Sequence, residues 1–314
     1  MTPEVILRTA IDRYGHTAGL FDGTIASPRV GFDFVEVTPI NRAFRRMTEQ
    51  LEFDVSEMAI VTFLQAREAG RPLVLVPLVT LNRFHHGSIV VPIDSPISDP
   101  RQLNGKRVGV RAYTQTTGLW IRGVLASEYG VDLDSITWVV NEGAHVASYV
   151  DPSNTERHEG TSLLDMLAAG EIDAWIGGRE AAKVEGMRPV IADAATAERD
   201  WFRRVRALPI NHMLVVKGDQ VERHPWLVAE LEDLFTRAKQ SYFAELNARG
   251  AQTREERFHA ELLAQGVDPL PNGIEAIRRS LEVTIDFAFS QHLIAEKPTV
   301  DDVFALRLAN EVAL

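Results

Sequence analysis

Residues 106–130 read KRVGVRAYTQTTGLWIRGVLASEYG, and this stretch decides the fold class. Residues 106–110 are typical of a short buried strand, and the polar residues 113–117 follow it. The next segment carries apolar side chains at the spacing of one helix face, namely Trp120, Ile121, Val124 and Leu125. Gly130 suits the position just beyond a helix end. The stretch therefore predicts a strand, a polar turn and a helix, the repeating unit of an α/β fold.

The same alternation continues along the whole chain. Short apolar runs predict buried strands at residues 73–79, 88–91, 174–176 and 208–216. Helical periodicity occurs at residues 38–51, 162–170, 225–247, 273–290 and 299–313. The order of these segments predicts an α/β protein with a largely parallel sheet.

Some of these elements have recognisable ends. Thr38 suits an N-cap and Pro39 the first helical position. Ser162 and Thr299 are each followed three residues later by an aspartate, which favours a capped helix start. We expect Pro77 to mark the end of a strand, because proline cannot donate a ladder hydrogen bond.

Residues 92–100 read PIDSPISDP and are rich in turn formers, which favours a hinge between two lobes. The length of 314 residues suits two domains. We predict a first lobe formed by residues 1–91 plus 211–314 and a second lobe formed by residues 92–210.

Composition narrows the classes of partner. The chain has 33 Lys and Arg against 44 Asp and Glu, a net charge of -11, which disfavours nucleic acid and anionic membrane surfaces. An anionic ligand therefore needs a local positive site. With no cysteine, the chain has no disulfide, thiolate nucleophile, cysteine-ligated zinc or iron–sulfur cluster.

The N-terminal residues have neither the basic region nor the apolar run of a signal peptide, so we expect a cytoplasmic protein. No run of about 18 apolar residues predicts a membrane helix. Glycine-rich nucleotide motifs, the Gly-x-Ser-x-Gly elbow and the His-Glu-x-x-His zinc motif are also absent.

The polar turn at the start of the helix is the strongest candidate binding feature. Backbone N–H groups, hydroxyls and a guanidinium can converge there on an anion. The residues concerned are Arg111, Tyr113, Thr114, Thr116 and Thr117. A capped helix with a solvated loop explains the same residues equally well.

Histidines are the candidate proton carriers. Arg83-Phe84-His85-His86 follows a buried strand, and adjacent residues on a strand face opposite sides, so we expect one histidine to point into a site. His212 lies in an apolar run, where a titratable group needs a partner or a cavity. Glu57 ends another strand and could serve as a base, a ligand for metal or a substrate contact. A purely structural role stays open for each of them.

Several segments, in this order and spacing, resemble the 4,5-dihydroxyphthalate decarboxylase family. They are residues 54–58 (DVSEM), 83–88 (RFHHGS), 103–110 (LNGKRVGV), 113–117 (YTQTT), 120–123 (WIRG) and 209–212 (PINH). The resemblance implies a type II periplasmic-binding-protein-like fold, two α/β lobes with a ligand cleft between them. It also implies a carboxy-lyase of aromatic compound degradation, in phthalate catabolism.

Such an enzyme needs no organic cofactor, because a hydroxylated ring can itself accept electrons. The ring carbon is protonated and CO2 leaves, so the protein supplies a base, an acid and a clamp. We assign proton transfer to His86 or His212. We assign binding of the small aromatic carboxylate to Arg83, Glu57 and the turn residues. They would bind a spectator carboxylate of the substrate, because tight binding of the carboxylate that leaves as CO2 would stabilise the ground state. A divalent metal that acidifies the phenol stays open.

The main alternative is a non-catalytic solute-binding protein that closes on an aromatic or other small carboxylate. It shares the fold with the lyase, since a fold does not determine chemistry. Self-association into a homo-oligomer is compatible with the sequence.

Overall fold

The computed structural model describes residues 3–305, without the side chains of residues 179, 180 and 182. The chain divides into two compact units. Unit 1 contains Met1–Asn82, Ile210–Arg279 and Pro298–Leu314, and unit 2 contains Arg83–Pro209 and Ser280–Lys297, in so far as these ranges are described. Both units are therefore discontinuous in sequence.

The described residues form eleven strands: β1 Val5–Ala10, β2 Val30–Phe34, β3 Val55–Ala59, β4 Leu73–Asn82, β5 Ile89–Pro92, β6 Arg107–Val110, β7 Thr137–Val140, β8 Thr155–Arg157, β9 Ala174–Ile176, β10 Met187–Pro189 and β11 Ile210–Lys217. They also form eleven α-helices: α1 Ala18–Phe21, α2 Asn41–Gln50, α3 Ile60–Glu68, α4 Thr116–Tyr129, α5 Leu163–Ala168, α6 Ala194–Val205, α7 Gly218–Arg223, α8 Leu227–Arg249, α9 Arg254–Ala264, α10 Ile274–Ser290 and α11 Val300–Phe304.

Unit 1 contains a five-stranded sheet in the order β2, β1, β3, β11, β4. β1 runs parallel to β2 and β3, whereas β11 runs antiparallel to β3 and β4. Apolar side chains of the strands, such as Leu7, Val55 and Leu214, pack against Leu231 of α8 and are fully buried. This core supports the pairing of β3 with β11.

Unit 2 contains a six-stranded sheet in the order β10, β5, β9, β6, β7, β8. β6 is parallel to β7 and β9, and β5 is antiparallel to β9 and β10. Val139 packs with Leu163 and Met166 of α5 on this sheet. Three tryptophans, Trp120, Trp138 and Trp201, are almost completely buried in this unit.

The strand–turn–helix prediction for residues 106–130 is confirmed. β6 is followed by α4, which ends at Gly130 in the left-handed conformation. The predicted helix at residue 162 also forms, and the Ser162 hydroxyl accepts from the Asp165 N–H. Both results rest on local patterns that tertiary packing did not override.

Other expectations need correction. α2 begins at Asn41 with Ile40 as N-cap, so Thr38 does not cap it. β4 continues through Pro77, which the ladder tolerates because β4 is an edge strand. The sheets are mixed, because β11 and β5 run against their neighbours. Helix α9 was not predicted at all.

The boundaries of the units also differ from the expected lobes. Residues 83–91 belong to unit 2, because β5 pairs with β9 and β10. Residues 280–297 belong there as well, since Phe287 packs edge-on to Trp120. α11 has the expected cap, with Thr299 accepting from the Asp302 N–H, but the predicted helix beyond residue 305 lies outside the described residues.

Across residues 3–305, no helix combines the length and apolar character that crossing a bilayer requires.

Candidate functional site

The candidate site in unit 1 is built around the carboxylate of Glu57. This residue lies in the middle of β3, whose five residues are all buried, and its side chain has no exposed surface. A carboxylate in such a strand requires hydrogen-bond donors to compensate its lost hydration. The local sequence DVSEM supplies none of them, so the donors come from elsewhere in the unit.

Three donors reach this carboxylate. The Tyr14 hydroxyl donates to Oε1 over 2.6 Å, and the Asp12 N–H donates to Oε2 over 3.0 Å. Nδ1 of His212 lies 2.6 Å from Oε1. Because an ionised carboxylate only accepts hydrogen bonds, Nδ1 of His212 carries the hydrogen in this pair.

Strand pairing explains why His212 meets Glu57. Leu214 of β11 lies opposite Glu57 of β3, so His212, two residues away, faces the same side of the sheet. The pairing of β11 with β4 shifts register on both sides of His212. Such irregularities re-aim side chains next to functional sites.

The donors keep Glu57 ionised. Burial alone would raise the pKa of this carboxyl group, but the hydrogen bond and charge of His212, together with Tyr14 and the Asp12 N–H, lower the pKa below its ordinary value. Burial and the neighbouring Glu57 raise the pKa of the Tyr14 phenol well above its ordinary value, so it remains a donor.

His212 is the member of this group that can exchange protons with a ligand. Its side chain keeps 16% of its surface exposed, and Glu57 occupies Nδ1, which leaves Nε2 for that exchange. Phe44 packs edge-on against the ring at 5.1 Å between centroids. A buried carboxylate that orients a histidine is the arrangement that positions a general acid or base.

A second histidine supports the site without titrating near neutrality. His16 stacks in parallel on Tyr14 at 5.0 Å, and its Nε2 lies 3.0 Å from the Thr80 carbonyl oxygen. Burial, followed by the charge of His259, lowers the pKa of His16 to about 3. The ring is therefore neutral at pH 7 and serves as a packing surface for Tyr14.

Sequence reasoning found Glu57 and His212 but missed Tyr14, Asp12 and their connection. Residues 12–16 read DRYGH and begin two residues after the end of β1, much as Arg83 and Arg111 follow β4 and β6. Applying the same strand-end rule there would have found them. Glu57, which we expected to act as a base, a metal ligand or a substrate contact, has no exposed side-chain surface and contacts Tyr14, the Asp12 N–H and His212.

The remaining candidates lie in unit 2. Nη2 of Arg83 approaches the Thr117 hydroxyl at 3.5 Å, so these two are together at the start of α4. Nη1 of Arg111 pairs with Glu142 at 3.5 Å, which partly occupies that guanidinium. Thr114 and Thr116 are buried, and the Thr116 hydroxyl has no hydrogen-bond partner among the described residues.

Two of the unit 2 residues differ from their expected roles. The Tyr113 hydroxyl donates to the Gln291 carbonyl over 3.1 Å, so it supports the fold. His86 is buried edge-on against Trp201 and Phe84. Burial, followed by the charge of Arg204, lowers its pKa to about 4. His85 is buried too. The expectation that the two side chains point to opposite faces does not apply, because His85 and His86 start a 3₁₀ turn and do not lie in a strand.

The described residues contain no group of three or more His, Asp or Glu side chains arranged to hold a metal ion.

A family model described as "ABC transporter, phosphonate, periplasmic substrate-binding protein" matches residues 29–230. The 4,5-dihydroxyphthalate decarboxylase of Comamonas testosteroni is 30% identical over 252 residues, 74% of each chain. The protein of the same name from Pseudomonas putida is 29% identical over 210 residues, 63% of this chain and 81% of that one.

Among solved structures, the alkanesulfonate-binding protein of Xanthomonas axonopodis pv. citri bound to MOPS aligns with a TM-score of 0.54. The alignment covers 96% of this chain and 98% of that one at 18% identity, so it bears on the fold alone. The predicted type II periplasmic-binding-protein-like fold is confirmed.

Proposed function

Since this chain belongs to the 4,5-dihydroxyphthalate decarboxylase family, we propose that it is a carboxy-lyase acting on a hydroxylated aromatic carboxylic acid such as 4,5-dihydroxyphthalate. The observation that carries the proposal is the hydrogen-bonded pair of Glu57 and His212, whose 2.6 Å contact leaves Nε2 of His212 for proton transfer. Ring protonation is the step for which this chemistry needs a positioned acid.

The proposed reaction replaces the carboxylate on the ring by a proton. A phenolate oxygen pushes electron density into the ring, and Nε2–H of protonated His212 gives its proton to the carbon that bears the leaving carboxylate. The bond between that carbon and the carboxylate then breaks, and its electron pair returns to the ring as CO2 departs. Glu57 holds the imidazole ring in one orientation and stabilises its protonated form.

His212 suits this role better than His86. The side chain of His212 is partly exposed and has a carboxylate partner, whereas His86 is enclosed by aromatic rings. An acid must be protonated when it meets the ring, and burial disfavours the charged form of His86.

Substrate anchoring is proposed for Arg83 and the start of α4. The Arg83 guanidinium beside Thr117, and the N–H groups of the first helical turn, are donors that suit a spectator carboxylate. Arg111 is a weaker candidate, because Glu142 already competes for its charge. Replacing Arg83 by methionine should therefore raise KM more than it lowers kcat.

CO2 release from 4,5-dihydroxyphthalate and a panel of related aromatic acids tests the proposal. The H212N variant should lose about 10²–10⁴ in kcat, the usual cost of a general acid. H224N is the matched control, since His224 contacts Trp226 and lies at the end of α7. Equal turnover by H212N and wild type, with the fold intact, would remove His212 from the mechanism.

The alternative is a solute-binding protein without catalysis, which the match to the phosphonate-binding family favours. Calorimetric binding measured on the same panel separates the two functions. Tight binding with no CO2 release would support the receptor. Assays of CO2 release with a chelator present, and with divalent metal added, also test whether a metal takes part.

A further inference from the structure

A guanidinium in the interior of unit 2 forms no ion pair with any residue that the structure describes. Arg122 of α4 has no exposed surface. Its Nε donates to the Gln291 side-chain oxygen over 2.8 Å, and Nη2 donates to the Tyr113 carbonyl over 2.6 Å. Its Cζ lies 4.0 Å from the centre of the Tyr113 ring and 5.2 Å from that of Trp138. All of these partners are uncharged.

The charge of Arg122 is not neutralised by a carboxylate of the described residues. The negative charge of Asp151 raises the pKa of Arg122 from a distance, but the Asp151 carboxylate forms its ion pair with Arg157, at 2.6 Å. Burial lowers the pKa of Arg122, yet a guanidinium stays protonated in proteins. Burying a charge without its opposite is costly, so proteins retain such an arrangement where the charge has a use.

The free part of this guanidinium lies against the first turn of α4. Nη1 of Arg122 has no hydrogen-bond partner among the described residues. A Cβ atom built on Gly118 would come within 2.8 Å of it, so the absence of a side chain there makes room for the charge. Gly118 is the third residue of the helix, whose first turn carries the positive end of the helix dipole.

The same turn has donors that the helix itself does not satisfy. The side chain of the N-cap residue, Gln115, makes no capping hydrogen bond, and its carbonyl accepts from Leu119. The N–H groups of residues 116–118 have no intrahelical acceptor, as in any helix start. The buried Thr116 hydroxyl also has no partner among the described residues, and Arg83 adds a second cation at Thr117.

We propose that Arg122 is a positioning residue for a doubly charged small anion at the first turn of α4, where it supplies the internal positive charge and shapes the turn through the Tyr113 carbonyl. The ligand class is an aromatic or aliphatic dicarboxylate, preferred over a monocarboxylate or a neutral amide of the same shape. This inference rests on the proposed function for the identity of its ligand. Its test measures binding and needs no turnover.

The probes are phthalate, which is a dianion at pH 8, and phthalamide, its uncharged diamide. R122M removes the charge and keeps much of the volume, and R122K keeps the charge. R101M is the matched control for net charge, because the Arg101 side chain donates to the Tyr129 carbonyl at the other end of α4. Calorimetry gives Kd for each pair, and circular dichroism verifies the fold.

We expect R122M to weaken phthalate binding by about 10- to 100-fold, the range for a lost charge-assisted interaction, and to change phthalamide binding by less than about 3-fold. R122K should recover most of the preference for phthalate, and R101M should leave it unchanged. If R122M does not fold, R122Q, which also removes the charge and keeps a donor for the Tyr113 carbonyl, takes its place with the same expected outcomes.

A merely structural role predicts a different pattern. R122M would then weaken both ligands equally, so that the preference for phthalate over phthalamide would survive without the charge, which would overturn the inference. Wild-type protein that binds neither probe, or both equally, would overturn it too. Absence of CO2 release in the separate assay would count against the lyase alone, because selective phthalate binding through Arg122 can persist in a receptor.

Discussion

Replacing Tyr14 by phenylalanine removes one hydroxyl from the donors around Glu57 and changes little else in shape. The lost hydrogen bond, 2.6 Å long, goes to a buried and ionised carboxylate, which places it in the class worth about 1.5–3 kcal/mol. We therefore expect Y14F to lower the free energy of unfolding at pH 7.5 by about that amount. The pKa of Glu57 should rise, because the Tyr14 hydroxyl is one of the donors that lower it.

The sign of the pH dependence follows from the direction of the Glu57 shift. Its pKa is lowered in the folded state, so its ionisation stabilises the fold above the unfolded pKa of about 4.3 and loses that effect as pH falls through the folded pKa. The difference between wild type and Y14F should accordingly be largest near neutrality. It should shrink in acid, where protonated Glu57 offers only a neutral partner to Tyr14.

Urea unfolding at a series of pH values measures this difference. Y242F is the matched control, because the Tyr242 hydroxyl contacts Nδ1 of His259 at 3.0 Å and does not reach Glu57. In the folded variant, the ¹⁵N shift of His212 would report a changed hydrogen bond independently of activity. The reasoning is refuted if the loss in Y14F is the same at every pH, or if Y242F shows the same pH profile.

Three further predictions rest on separate contacts. E57Q should lower kcat by about 10²–10⁴, because the amide can orient the His212 ring wrongly and cannot stabilise its charge; a change in KM alone would contradict this. His86 has a pKa of about 4 in the folded state, below its unfolded value, so the protein should lose up to about 3 kcal/mol of stability as pH falls from 6.5 to 4. H86N should flatten that part of the profile, and an unchanged slope in urea unfolding would show that His86 is not its source. G123A should destabilise the fold by about 1–3 kcal/mol, since the added Cβ would lie 2.1 Å from the Phe287 ring; a melting temperature equal to that of wild type would mean that the ring moves freely.

Local patterns predicted the elements that local interactions determine. β6 and α4 follow from apolar spacing and from Gly130, and β9 was placed at its observed residues. The antiparallel direction of β11 was not predictable in this way, because strand pairing is decided by contacts between segments about 150 residues apart. The exclusion of Thr38 from the cap of α2 likewise depends on how the chain enters the helix.

The candidate site shows the same limit. Each of Glu57 and His212 could be singled out as a polar residue in an apolar strand, but their contact depends on the register of β3 with β11. Tyr14 reaches the same oxygen from a loop after β1, and no sequence spacing encodes that approach. His86 gave an equally good signal, and its burial among aromatic rings came from α6, which supplies Trp201.

The placement of the tryptophans gives the two units separate optical reporters. Of the five in the chain, Trp120, Trp138, Trp175 and Trp201 belong to unit 2, and Trp226 belongs to unit 1, where the Arg29 guanidinium lies 3.6 Å above its ring. Intrinsic fluorescence of a W226F variant would follow unit 2 alone, while far-ultraviolet circular dichroism follows the whole chain. Coincident denaturation curves would show that the units melt as one cooperative block, and separated curves would give each unit its own free energy.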